Sequence, residues 1–140
     1  MNLLKKLCVT AIFFTGISLS SSGQIALTIE INGLRNNWGQ VLVELSDAKN
    51  VGVKGVSHTI RNNQCVIVIE GLNRGKYGLK YFHDENNNSK FDMNWIGIPL
   101  EGYGFSNNAK GIFRPPAYEK TLFELKHSMT IKCYISYILN

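Results

Sequence analysis

The sequence predicts an all-β domain: an antiparallel β-sandwich of about seven strands carrying one long ordered loop. Three observations lead there. Apolar residues recur with a period of two along most of the chain. The runs they form are short, rich in Ile, Val, Tyr and Phe, and bounded by Gly, Asn or Asp. Helical spacing at i, i+3 and i+4 is sustained nowhere after residue 23. Strands with one apolar face bury it most readily by stacking one sheet on another.

In the first run, Ile25, Leu27, Ile29 and Ile31 share a face, opposite Ala26, Thr28, Glu30 and Asn32. The stretch from Asn32 to Gly39 is a turn, being rich in residues that tolerate left-handed backbone angles. Val41, Val43 and Leu45 alternate next. Val51-Gly52-Val53-Lys54-Gly55 reads as a glycine-broken edge or loop, and Arg61-Asn62-Asn63 as a second turn. Cys65, Ile67 and Ile69 form another face, followed by the strand Tyr77–His83. The last runs are Thr121–Leu125 and Met129–Leu139.

The segment 84–118 breaks this regularity. A loop of roughly 35 residues is long for a compact domain, yet it holds Trp95, Ile96, Ile98, Tyr103, Phe105, Ile112 and Phe113, too many apolar side chains to stay solvated. It is expected to fold back as an ordered flap over one end of the sandwich. Within it, Ile98–Asn108 mixes aromatics with Gly and Asn. That composition suits a binding surface, or else Tyr103 and Phe105 plug the end of the sandwich. Arg114-Pro115-Pro116 stiffens the return, because each proline fixes its own φ.

The first residues describe a secretory signal peptide, residues 1–23. Lys5 and Lys6 precede an apolar run from Leu7 to Leu19, and small residues, Ser21 and Gly23, suit cleavage before Gln24. The run is about 13 residues, short of the roughly 20 needed to span a bilayer. Cys8 stands at the front of the run, which disfavours a lipoprotein anchor. The product is expected to be secreted or periplasmic, one domain over residues 24–140. Without Lys5 and Lys6, thirteen basic residues face ten acidic ones, an excess of about +3. These charges are scattered, which excludes a nucleic-acid surface and leaves a protein or small-molecule partner.

Cys65 and Cys133 each share a strand face with apolar neighbours. An exported protein permits a disulfide between them, but two buried thiols that never meet fit the sequence equally well. With no CxxC, neither redox nor zinc-knuckle chemistry is suggested.

The strongest site candidate is Asp84-Glu85-Asn86-Asn87-Asn88-Ser89-Lys90-Phe91-Asp92. Calcium takes six to eight oxygens, and loops of this spacing wrap it with alternate side chains. The candidate ligands are Asp84, Asn86, Asn88, the Lys90 carbonyl and Asp92, with Glu101 or flap carbonyls to complete the shell. Ser89 stands where such loops carry Gly, and Trp95 where they carry a bidentate Glu. The alternative is an Asn-rich turn whose side chains bond its own backbone. His83, next to the loop, could join a zinc or copper site, but on a strand it points away from Asp84. No GxSxG, HExxH or phosphate-binding glycine loop is present. A non-enzymatic accessory or binding module is therefore expected. The alternative is a small periplasmic hydrolase using His83 with Glu85, Asp92 or Glu101 as acid and base.

The run His83–Asp92, then Gly97-Ile98-Pro99-x-Glu101-Gly102-Tyr103-Gly104-Phe105-Ser106-Asn107-Asn108, then Pro115-Pro116, closely resembles a family of small exported bacterial proteins of unknown function. The resemblance spans nearly the whole chain after residue 23, implies no activity or partner, and typically places Gly where this chain has Ser89. A wider likeness is to transthyretin-like sandwiches: Ile69-Glu70-Gly71-Leu72-Asn73-Arg74-Gly75-Lys76-Tyr77 resembles their strand–turn–Gly-x-Tyr connection. A transthyretin-like or immunoglobulin-like arrangement is thus implied, although fold analogy alone gives no function. The hydroxyisourate hydrolase of the former fold ends in Tyr-Arg-Gly-Ser, whereas this chain ends Tyr137-Ile138-Leu139-Asn140.

Overall fold

The computed structural model describes residues 24–139; the expected signal peptide, residues 1–23, lies outside the described residues, as does Asn140. The strands are β1 (Ile25–Asn32), β2 (Gln40–Asp47), β3 (Gly52–Thr59), β4 (Gln64–Leu72), β5 (Gly75–Asp84), β6 (Tyr103–Phe105), β7 (Phe123–Leu125) and β8 (Met129–Tyr134). Short 3-10 turns occupy Ser106–Asn108 and Tyr118–Thr121. Among the described residues no helix is long and apolar enough to cross a membrane.

The strands form two sheets. One has the order β4-β1-β8; the other runs β3-β2-β5-β6, with β7 also pairing β5. All pairs are antiparallel except β1 with β8, a departure from the antiparallel expectation. The inward faces meet as the alternation requires: Leu27, Ile29 and Ile31 from one sheet, Val41, Leu45 and Leu79 from the other, all fully buried or nearly so. At about 1.5–3 kcal/mol for each large side chain removed from water, this shared core holds the layers together.

The run Val51–Gly55, read as an edge or loop, belongs to edge strand β3, which is exposed along almost its whole length. The segment 84–118 is ordered and supplies β6. Because β6 pairs Lys80–Phe82 while β7 pairs Gly75–Tyr77, the edge of β5 is left uncovered between them. Buried Ser106 fills that gap. Its Oγ accepts the Leu79 N–H at 2.8 Å and donates to the Thr121 carbonyl at 2.5 Å.

The cysteines do not bridge. Ile31 of β1 pairs with Cys65 on one side and Cys133 on the other. Two strand spacings, about 9.5 Å, therefore separate their Cα atoms, beyond the roughly 7 Å that a disulfide spans. Both are buried free thiols.

Candidate functional site

Asp84 ends β5 opposite Gln40 of β2, and the Asn-rich loop turns back over it. Its buried carboxylate organises the turn. Oδ1 accepts the Asn88 N–H at 3.0 Å; Oδ2 accepts the Ser89 N–H at 3.0 Å and the Gln40 side-chain amide at 3.1 Å. The pattern repeats along the loop: Asn86 Oδ1 accepts from Asn88 N, and Asn88 Oδ1 from Lys90 N. Asn87 and Ser89 take left-handed angles, φ +57° and +59°. The tight turn thus forms with serine where glycine would be unstrained.

Asp92 closes the ring. Its Oδ2 accepts the side-chain amides of Asn86 at 2.7 Å and Asn88 at 2.8 Å. Glu101, buried beneath, accepts the Glu85 N–H on Oε1 and the Asp92 N–H on Oε2, both at 3.1 Å. Its carboxylate clamps the two ends of the loop. Burial raises its pKa, opposed by these two hydrogen bonds. The structure therefore brings Asp84, Asn86, Asn88 and Asp92 together, as their spacing predicts; Lys90 reaches this network through its backbone N–H.

As it stands, the loop satisfies itself. Among the described residues no group of three His, Cys, Asp or Glu side chains is disposed to hold a metal. The donor set fits calcium by chemistry, two carboxylates and two amide oxygens. In this structure, however, the amide nitrogens of Asn86 and Asn88 face Asp92, and ligation by their oxygens requires the amides to turn.

His83 lies on the opposite face of β5, fully buried. Its Nε2 is 2.7 Å from the Trp38 carbonyl, which can only accept, so Nε2 carries the proton; Nδ1 then accepts from the Tyr137 hydroxyl at 2.6 Å. Arg35 stacks over the Tyr137 ring, 4.6 Å from its centroid, and its guanidinium forks onto Glu85 at 2.8 and 2.5 Å. The Arg35 hydrogen bonds hold the Glu85 carboxyl below its ordinary pKa. The chain near Trp38 approaches closely because Gly39 permits it. There φ is +67°, and a Cβ would lie 1.8 Å from the Asp84 carbonyl oxygen. His83, Asp84 and Glu101 are all buried, and among the described residues every buried side-chain N or O has a hydrogen-bond partner.

A shallow depression lies beside the loop, lined by Arg35, Trp38, Glu85 and Asn86; the aromatic-walled groove is elsewhere. On the outer face of the five-stranded sheet, Leu42, Phe82 and Tyr103 form one cross-strand row and Glu44, Lys80 and Phe105 the next. Gly55 and Ser57 of β3, opposite Glu44 and Leu42, keep the neighbouring floor low. Phe91, carried by the Asn-rich loop, leans over this face. Its ring centroid is 5.4 Å from Phe82 and 5.6 Å from Tyr103. A groove of about 600 Å³ results, with a Lys80–Glu44 ion pair of 3.0 Å on its lining. Tyr103 and Phe105 are half-buried in its wall and do not plug the end of the sandwich. Sequence reasoning missed Leu42, Phe82 and Phe91. Large apolar residues at the outward positions of β2 and β5 were the signal available.

Fold and site define a two-layer all-β domain with a self-capped Asn-rich loop beside an aromatic groove. The chain belongs to a family described as an uncharacterized protein conserved in bacteria (DUF2141), matched over residues 29–132. The match runs from β1 into β8 and includes both the loop and the groove. No curated protein matches the chain.

Proposed function

We propose that the protein is an exported, non-enzymatic binding module that holds an elongated apolar ligand in the groove of the five-stranded sheet. The observation that carries this reading is the wall formed by Phe82, Phe91, Tyr103 and Phe105 on a face that a solvated sheet would fill with polar side chains. Its volume, about 600 Å³, falls in the range of small-molecule sites. Burial of His83, Asp84 and Glu101, with their polar atoms engaged, favours binding over the hydrolase alternative, which needs them in an open polar cleft. Export rests on the N-terminal sequence, and the mass of the protein recovered outside the cytoplasm tests it.

A fluorescence titration with the apolar dye 1-anilinonaphthalene-8-sulfonate tests the groove. Saturable enhancement is expected for the wild type, with affinity falling about ten-fold or more in Phe82→Ser or Phe91→Ser, each of which removes a large apolar contact. No saturable binding, or binding indifferent to both replacements, sinks the reading.

A second reading concerns the loop: Asp84, Asn86, Asn88, the Lys90 carbonyl and Asp92 bind one calcium ion. The observation favouring it is that four of these side chains converge while Ser89 adopts the left-handed turn such loops require. Melting curves in EDTA and in millimolar calcium test it. A rise of very roughly 10 °C is expected when calcium stands near a hundred times Kd, and superimposed curves reduce the loop to a turn.

A further inference from the structure

The loop from Lys110 to Arg114 breaks the usual rules of turn chemistry. Its tip is Ile112-Phe113, exposed to 81% and 106%, where Gly, Asn, Asp or Ser ordinarily stand. Phe113 also adopts φ +61°, a left-handed angle that is a genuine outlier for a bulky residue. The bend is tight: a Cβ on Gly111 would lie 1.9 Å from the Arg114 carbonyl oxygen. Neither apolar side chain belongs to the core cluster, so nothing in the fold offsets this arrangement. Strain held without a structural return marks positions kept for function.

The charges specify the partner. Lys110 and Arg114 bracket the apolar tip, and from Phe105 to Tyr118 the chain has no Asp or Glu. Among the described residues neither cation enters an ion pair. Both line one depression of about 410 Å³ whose floor is largely apolar, with Tyr103, Phe105, Pro115 and Pro116 beside Asn108 and Ser136. An apolar wedge between two cations that, among the described residues, enter no ion pair complements a surface that is apolar within and anionic at its rim. The Met93–Pro99 hairpin exposes Trp95 as well, but it carries no charge, so nothing there specifies a partner.

We propose that this loop docks the domain on an anionic lipid bilayer, Ile112 and Phe113 entering the headgroup layer while Lys110 and Arg114 meet lipid phosphates. The contact is peripheral and reversible, because two side chains bury little area. The loop is no part of the groove lining, although the depression beside it shares Tyr103, Gly104 and Phe105 with the groove.

The experiment is co-sedimentation of the protein, residues 24–140, with vesicles of phosphatidylglycerol and phosphatidylethanolamine, against vesicles of phosphatidylcholine alone. Binding is expected to the anionic vesicles only, and to weaken as salt rises. Ile112→Ser with Phe113→Ser should lower partitioning by about ten- to a hundred-fold. Lys110→Gln and Arg114→Gln should each lower it roughly five-fold. Phe113→Gly separates docking from folding: it relieves the left-handed strain, so its melting temperature should hold or rise while binding falls. Wild-type protein that stays in the supernatant with anionic vesicles overturns the proposal and points to a protein pocket with an acidic rim. Binding that survives the Ile112/Phe113 double replacement overturns it too.

Discussion

Replacing Asp84 by alanine tests whether one buried carboxylate holds the Asn-rich loop. The carboxylate accepts three N–H groups, from Asn88, Ser89 and Gln40. A hydrogen bond to a charged acceptor contributes about 1.5–3 kcal/mol. Asn88 and Ser89 are exposed, so water can re-satisfy their amides in the variant and the low end of that range applies. Three such bonds give about 4.5 kcal/mol. The variant no longer desolvates a carboxylate, which returns part of this and leaves a net loss of about 2–3 kcal/mol. For a domain of this size that is a fall in melting temperature of about 10 °C.

Thermal and urea denaturation in EDTA measure the loss without any contribution from calcium, with Glu70→Ala, on an exposed strand position, as the control. Asp84→Asn should fall between wild type and Asp84→Ala, since it keeps one acceptor oxygen. A loss for Asp84→Ala no larger than the control's would refute the reasoning. Repeated in millimolar calcium, the same curves show whether the ion adds stability to the wild type that Asp84→Ala cannot gain.

Ser89→Gly should stabilise the domain by about 0.5–1 kcal/mol in urea unfolding, relief of left-handed strain outweighing the extra freedom of glycine in the unfolded chain. Cys65 and Cys133 should react with a disulfide reagent only on unfolding, because burial keeps them from solvent and pushes both thiols up to about 11; a mass two hydrogens below the reduced value would contradict the strand order. Acid stability should show two opposed carboxyls. Glu85, its pKa depressed chiefly by the Arg35 hydrogen bonds, contributes stability that is present above the unfolded carboxyl pKa, about 4.3, and is lost as pH falls through its folded value. Glu101, its pKa raised chiefly by burial, works the other way: its contribution is full below the unfolded value and is lost as pH rises through the folded one. Glu85→Gln should therefore flatten the acid limb of a stability-versus-pH curve and Glu101→Gln steepen it; the same slope in both variants would contradict these assignments.

The strands legible in the sequence are those with one buried face. In β1, β2 and β4 the burial alternates along most of the strand, and so does the hydropathy, whereas central strand β5 is buried on both faces at Tyr77–Leu79 and at His83–Asp84. Strand β3 buries neither face, so no pattern is written into it, and its two glycines suggested a break. At three residues, β6 is too short to show a period, whereas β7 falls within the run Thr121–Leu125 that the sequence marks as a strand. For the cysteines, the shared apolar face was readable, but the strand between them was not. It depends on β8 joining β1 in parallel from more than 90 residues away. In the loop, Asp84, Asn86, Asn88 and Asp92 were readable because their partners are local. The Glu101 clamp and the Tyr137–His83 bond were not, since each arises only after the chain has folded back.

The loop and the groove meet in one residue. Phe91 lies between Lys90, whose N–H bonds Asn88, and Asp92, whose N–H bonds Glu101 and whose carboxylate takes two asparagine amides. Both backbone neighbours of Phe91 are thus fixed by the turn, while its ring forms the groove wall against Phe82 and Tyr103. A binding surface on a loop is ordinarily soft. If the groove binds as proposed, the hydrogen-bonded ring beneath Phe91 removes freedom that a ligand would otherwise have to freeze. Any change that loosens the ring frees Phe91 as well, so loop stability and groove affinity are two readings of one arrangement. If the loop takes calcium, reciprocity requires that a groove ligand favouring the fixed ring also tighten the ion. Under the proposed binding role, the Asn-rich turn matters even when it is only a turn, because it decides where the aromatic wall stands.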